Sequence, residues 1–207
     1  MEQRDFKDLL GMLNSQSTLF LMDQKILKPY AVPGTMTYSK YRTKIIKDQS
    51  GNEVMRIDYD PTTGSSGKGL LGKLQQMAVG LLNFKVGDLD GNYLYSVRAD
   101  SFMTTTHHFH IFDGEESDEK YSAVHKMMNL AKESLVVSSN DGTPVLTTEY
   151  RGYRKFIELK DGSGVPVGEL HAPIVSMRDR WQLNFNGDCD RSLALVMVAI
   201  MSELGQR

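Results

Sequence analysis

The chain has 207 residues, of which 40% are hydrophobic and 24% are charged, and its formal net charge is -2. These values are typical of a globular domain and argue against both a disordered chain and a dedicated nucleic-acid binder, whose affinity depends on a strongly basic surface. With Cys189 as its one cysteine, the chain forms no internal disulfide, which fits a reducing compartment.

The first predicted element is a short amphipathic helix over residues 5–13. Its apolar residues recur at the spacing that places them on one helical stripe: Phe6, Leu9, Leu10 and Leu13. We treat residues 1–17 as an N-terminal helical extension and residues 18–207 as one domain.

A hairpin pattern then recurs along the chain: an alternating apolar run, a turn with Asp or Asn and Gly, and a second alternating run. Clear copies have turns at 48–52, 88–92, 140–142 and 161–164, and a poorer copy spans 104–125. Side chains of a strand alternate between faces, so Leu82, Phe84 and Val86 face one way and the residues between them the other. Glycine accepts the positive φ of a tight turn. Short turns instead of helix-length crossovers predict antiparallel pairing.

Two segments interrupt the hairpins. Residues 62–69, rich in Gly and Ser, are predicted to form a flexible loop, and they lack the spacing of a phosphate-binding loop. Apolar residues at helical spacing from Leu70 to Leu81 predict a second helix, which either lies on a bilayer or, if the strands close into a barrel, caps one end of it.

The last predicted element is an apolar helix near the end of the chain. Residues 188–205 begin with cap-type acids and end at a glycine, and the stretch from Leu193 to Met201 is apolar on every face. A helix of that kind belongs inside a protein. The alternative is one more buried strand, since Val196, Val198 and Ile200 are β-branched.

These features together resemble the tubby C-terminal-like superfamily, and within it the LURP-one-related and phospholipid scramblase branch. The resemblance rests on the repeated hairpin units, the Arg180–Phe185 strand, the acidic turn after it and the final apolar helix, and it covers about residues 18–204. It implies a mainly β fold: a closed antiparallel β-barrel of about twelve strands around the hydrophobic C-terminal α-helix. It also implies an association with membrane lipids.

Basic residues form two clusters that are candidates for binding an anionic lipid headgroup. We place Arg42 and Lys44 on one face of a strand, with Lys40 and Lys47 nearby, and a second cluster follows the third clear hairpin. The candidate headgroup ligands are Arg42, Lys44, Arg151, Arg154 and Lys155. The alternative is that these residues are ordinary solvated positions of strands.

The run from His107 to His110 is the candidate metal site. On a strand His108 and His110 share a face, an arrangement that binds zinc in other proteins, with Asp113 or Glu115 as oxygen ligands. The alternative is that these histidines are partly exposed polar positions of a hairpin, with Phe109 turned inward.

The sequence contains none of the common catalytic motifs, so we expect a non-enzymatic barrel without a cofactor that binds phospholipid headgroups at a membrane surface. The alternatives are an intracellular protein-interaction scaffold without a lipid ligand and a His-based metalloprotein. The first residues carry acids where a signal peptide has a basic and then an apolar run, and no apolar stretch reaches the roughly 20 residues of a membrane span. We therefore expect a cytoplasmic protein, at most peripheral to a membrane.

Overall fold

The computed structural model describes residues 6–23, 43–59, 83–100, 106–114, 118–129, 132–150, 156–171 and 180–204. The helices are α1 (Phe6–Ser15) and α2 (Arg191–Leu204). The strands are β1 (Thr18–Asp23), β2 (Thr43–Lys47), β3 (Glu53–Tyr59), β4 (Phe84–Gly87), β5 (Tyr93–Ala99), β6 (Thr106–Asp113), β7 (Glu119–Asn129), β8 (Lys132–Ser139), β9 (Pro144–Tyr150), β10 (Phe156–Asp161), β11 (Pro166–His171) and β12 (Arg180–Phe185). The predicted loop at 62–69 and the predicted helix at 70–81 lie outside the described residues.

The twelve strands form one closed antiparallel barrel. Strands that follow each other in the chain are also neighbours in the barrel, and β1 closes it by pairing with both β12 and β2. Leu19 lies opposite Leu183 on β12, and Leu21 lies opposite Ile46 on β2. Closure leaves no free sheet edge. The predicted barrel of about twelve antiparallel strands is confirmed.

In three of the four described turns of the repeat the first residue is an aspartate that accepts a hydrogen bond from the backbone N–H four residues later, whereas Ser139 holds that position in the turn after β8. In the turn between β4 and β5, Oδ1 of Asp88 accepts hydrogen bonds from the backbone N–H groups of Asp90 and Asn92, both at 2.9 Å. Gly91 completes the turn with a φ of 95°, a conformation that residues with a Cβ rarely adopt. The aspartate and glycine of the sequence repeat therefore supply the two physical requirements of these three tight hairpins.

The connections between strands lie at two ends of the barrel. We call the end with the tight turns the hairpin rim; its described turns are residues 48–52, 88–92, 140–143 and 162–165, followed by the 186–190 link into α2. The even-numbered strands begin at the opposite end, which we call the C-terminal rim because α2 ends near it. The side chain of Lys44, close to the start of β2, contacts Ser202 in the last turn of α2.

Helix α2 fills the interior of the barrel. Every residue from Leu193 to Met201 is at most 1% exposed. The strands turn alternate residues toward this helix: Phe109 and Ile111 are fully buried, whereas His110 between them is partly exposed. The helix interpretation of this segment is confirmed, and the strand alternative is wrong. Apolar walls on all sides explain why α2 needs no polar face.

The N-terminus of α2 is capped as the sequence predicts, and it also contacts α1. Oδ1 of Asp190 accepts hydrogen bonds from the backbone N–H groups of Ser192 (3.0 Å) and Leu193 (3.2 Å), which satisfies donors that the first turn leaves free. Arg191 donates from Nη1 to the carbonyl oxygen of Leu13 at 3.2 Å. The side chain of Leu13 is fully buried and belongs to the barrel core.

Candidate functional site

The predicted headgroup ligands lie partly within and partly outside the described residues. Lys44 is described, and the others lie outside the described residues: Arg42, Arg151, Arg154 and Lys155. Chain connectivity still relates them to the barrel, because Arg42 directly precedes β2, Arg151 directly follows β9 and Lys155 directly precedes β10. All three of these strand ends lie at the C-terminal rim.

Lys44 lies inside the barrel and not on its outer surface. Its side chain is 1% exposed, and its Nζ donates to Oγ of Ser202 at 2.5 Å. Ser202 in turn donates to the carbonyl oxygen of Ala199 at 2.9 Å, and the Lys44 ammonium lies 5.7 Å from the centre of the Tyr59 ring. A cation beside the last turn of a helix stabilises the carbonyl end of its dipole, and α2 has no basic residue of its own there. The position of Lys44 therefore fits a structural role.

The sequences that connect strands at the C-terminal rim include two cationic segments. Residues 24–42, between β1 and β2, contain four Lys or Arg and no Asp or Glu. Residues 151–155, between β9 and β10, contain three Lys or Arg and no acid. Both segments lie outside the described residues, but the strands that flank them fix the rim at which each begins and ends.

The hairpin rim has the opposite charge character. The described aspartates of its turns and of the link into α2 are Asp48, Asp88, Asp90, Asp118, Asp141, Asp161, Asp188 and Asp190. A hydrogen bond from Ser139 is the main reason why the pKa of Asp141 falls to about 2. The pKa values of Asp48 and Asp161 are also lowered, each mainly by a side chain of its own turn. These carboxylates are ionised at physiological pH, as an ordinary aspartate is, and the turn hydrogen bonds extend that ionised range to lower pH.

The predicted histidine run is split between the two faces of β6. Phe109 points into the barrel, as expected, and His107 shares its face, whereas His108 and His110 face outward. His110 lies between two carboxylates: its Nδ1 is 2.8 Å from Oε2 of Glu119, and its Nε2 is 2.7 Å from Oδ1 of Asp100. Carboxylates only accept hydrogen bonds, so this arrangement requires both ring nitrogens to donate, which only the imidazolium does.

The surroundings of His110 raise its pKa. Partial burial acts in the opposite direction, but the hydrogen bonds and charges of Glu119 and Asp100 outweigh that effect. A raised pKa means that the native state binds the proton more tightly than the unfolded chain. The stabilisation is complete below the unfolded pKa, near 6.5, and it is lost as the pH rises through the native pKa.

We expect the substitution His110→Gln to reveal this pH dependence. The wild type should be more stable than the variant at pH 5–6, by less than about 1 kcal/mol because the ion pairs are partly exposed, and the difference should shrink toward pH 9. Urea denaturation across this pH range measures it. His108→Gln is the matched control, since His108 is exposed and outside the cluster. A stability difference that stays constant with pH would contradict the assignment.

A second histidine cluster lies inside the barrel and was missed by sequence reasoning. His125 on β7 is 2% exposed, and its Nε2 lies 2.9 Å from Oε2 of Glu133 on β8. The ring of His107 stacks on the ring of His125 with their centres 5.6 Å apart. The pairing of β6 with β7 brings these rings together, so only the register between the two strands could have revealed the cluster.

Two negative findings concern the described residues. They contain no group of three or more His, Cys, Asp or Glu side chains placed to hold a metal ion. Asp113, a predicted oxygen ligand, accepts an ion-pair hydrogen bond from Lys120 at 2.9 Å, and Glu115 lies outside the described residues. Neither α1 nor α2 has the length and the apolar character that a membrane-spanning helix needs.

Comparison with known proteins supports the fold. No family model matches the chain, and no curated protein matches it. An X-ray structure of a protein from Arabidopsis thaliana matches with a TM-score of 0.56 at 13% sequence identity, over 95% of this chain and 96% of that one. At this identity the likeness is one of fold alone. The chain is thus similar in fold, over nearly its whole length, to a protein of known structure.

Proposed function

We propose that this barrel is a non-enzymatic protein of the LURP-one-related and scramblase type that binds anionic phospholipid headgroups with its C-terminal rim. The observation that carries the proposal is the unequal distribution of charge between the two rims. Ionised aspartates occupy the hairpin rim, where the described lysines Lys47, Lys120 and Lys160 are ion-paired with acids. The cationic sequences 24–42 and 151–155 join strands at the other rim and outnumber the described acids at the strand ends there, Asp23 and Asp100. The closed barrel, whose fold also matches the Arabidopsis structure over nearly the whole chain, supports the architectural part of the proposal.

Separated charge of this kind orients a protein near a charged surface. An anionic membrane repels the hairpin rim and attracts the opposite rim, and each Lys or Arg near the surface contributes about 1 kcal/mol. Salt screens such contacts between exposed charges. Binding should therefore require anionic lipid and weaken as the ionic strength rises.

We expect the wild type to bind phosphatidylcholine vesicles that contain phosphatidylserine, and not vesicles of phosphatidylcholine alone. The triple variant Arg151→Gln, Arg154→Gln, Lys155→Gln should bind about 100-fold more weakly, because three contacts of about 1 kcal/mol are lost. Vesicle flotation at low and at high salt measures both effects.

The matched control removes the same charge from the opposite rim. Lys47, Lys120 and Lys160 lie near the hairpin rim, and each forms an ion pair with an acid: Glu53, Asp113 and Glu158 respectively. Their triple substitution by Gln should leave vesicle binding within about twofold of the wild type. Equal losses in the two triple variants would mean that only net charge matters. Wild-type protein that binds no anionic vesicle at low salt would refute the proposal and favour the protein-interaction scaffold.

A further inference from the structure

We propose that Phe156 inserts into the membrane interface when the C-terminal rim meets anionic lipid, an inference that rests on the proposed function. Phe156 is the first residue of β10, and its side chain is 58% exposed, more than that of any other large hydrophobic residue in the described part of the chain. Exposed aromatic rings at a charged rim are the usual means by which peripheral proteins anchor in the region between headgroups and acyl chains.

The position of Phe156 distinguishes it from the other exposed apolar residues. Leu89 and Val165 are 42% and 54% exposed, and both lie in turns of the hairpin rim. Met12, 37% exposed, lies on α1, which contacts the start of α2 at the same rim. Phe156 instead lies at the C-terminal rim and directly follows Lys155 in the chain. A cationic sequence joined in the chain to an exposed aromatic residue fits the chemistry of an anionic bilayer, which offers negative headgroups above an apolar layer.

The contacts of Phe156 hold its ring in place before binding. His171 lies opposite it on β11, and the two rings meet edge to face, with their centres 4.5 Å apart and an angle of 79° between their planes. His171 is itself fixed by Asn184, whose Nδ2 lies 3.2 Å from its Nε2. An aromatic side chain with few rotatable bonds that is already packed on one side loses little conformational freedom when it inserts.

The next outward-facing residues of the barrel wall limit insertion to the side chains at the rim itself. Glu158 and Glu169 form the next outward pair below Phe156 and His171, and both are exposed. Two residues along a strand correspond to about 7 Å, so carboxylates follow the ring at roughly the depth of the headgroup layer. We infer a shallow anchor at the bilayer interface and no deeper penetration.

Two variants test the anchor in the full chain with vesicles of phosphatidylcholine and phosphatidylserine. Phe156→Ala should weaken binding about tenfold at unchanged salt dependence, whereas Val165→Ala, an exposed apolar residue at the hairpin rim, should bind like the wild type. The tryptophan fluorescence of the Phe156→Trp variant should be quenched when the same vesicles contain brominated phosphatidylcholine. The wild type provides the background, because its one tryptophan, Trp181, faces the barrel interior at 9% exposure.

The outcomes separate the two proposals. Wild-type binding to anionic vesicles, together with an unquenched Phe156→Trp protein and unimpaired Phe156→Ala binding, would overturn the anchor and leave the headgroup proposal intact. Wild-type protein that does not bind anionic vesicles would overturn both. Quenching of the Phe156→Trp protein with weaker binding of the Phe156→Ala protein is the result that we expect.

Discussion

Replacing Leu195 with alanine is expected to lower the free energy of unfolding by about 3 kcal/mol. Leu195 is fully buried in the middle of α2, where apolar strand residues surround the helix. Truncation to alanine removes buried apolar surface and leaves a cavity that a closed barrel cannot easily collapse to fill. Urea denaturation followed by circular dichroism measures the change.

The control for this substitution is Val165→Ala. Val165 is 54% exposed in the turn before β11, so its truncation should change stability by less than about 0.5 kcal/mol. A loss of less than about 1 kcal/mol for Leu195→Ala would mean that α2 is not packed inside the barrel as described.

Replacing Lys44 with methionine is expected to lower the free energy of unfolding by about 2 kcal/mol. Methionine approximates the length of the lysine side chain but removes the ammonium group, which donates to Ser202 and faces the carbonyl end of α2. The same measurement as for Leu195 applies. Lys85→Met is the control: this lysine is partly exposed on the outside of β4, where its ammonium lies 4.7 Å from the centre of the Tyr93 ring.

The Lys44 variant also separates a structural role from headgroup binding. Because Lys44 is buried, folded Lys44→Met protein should bind anionic vesicles as the wild type does. A variant at least as stable as the wild type would show that the desolvation free energy of the buried charge exceeds the stabilisation from its contacts. A stable variant that loses vesicle binding would instead show that Lys44 takes part in headgroup binding.

The fold could be predicted from the sequence because the local turn signals and the long-range pairing of strands favour the same structure. Each Asp–Gly turn determines its own hairpin, as Asp88 and Gly91 illustrate, and successive hairpins can pair without crossovers. The apolar segment from Leu193 to Met201 could then be buried from water only in the barrel interior. Residues whose conformation depends on near neighbours in the chain were therefore predicted well.

The candidate sites were harder to predict because they depend on which face of a strand points inward. Ile45 and Ile46 are adjacent and both buried, so the apolar pattern of β2 does not reveal its orientation. The structure turns Ile46 inward, and Lys44, two residues away, must share that face. The pairing of His107 with His125 depends in the same way on the register between β6 and β7, which no local pattern encodes.

Hydrogen exchange at the backbone amides of α2 tests whether the strands encircle this helix. If the barrel encircles the helix, the amides of residues 195–201 should exchange only when the whole domain unfolds, with an opening free energy equal to that measured by urea denaturation. Exchange of these amides through openings that cost several kcal/mol less would mean that the helix leaves the barrel while the strands stay paired, which would contradict the account.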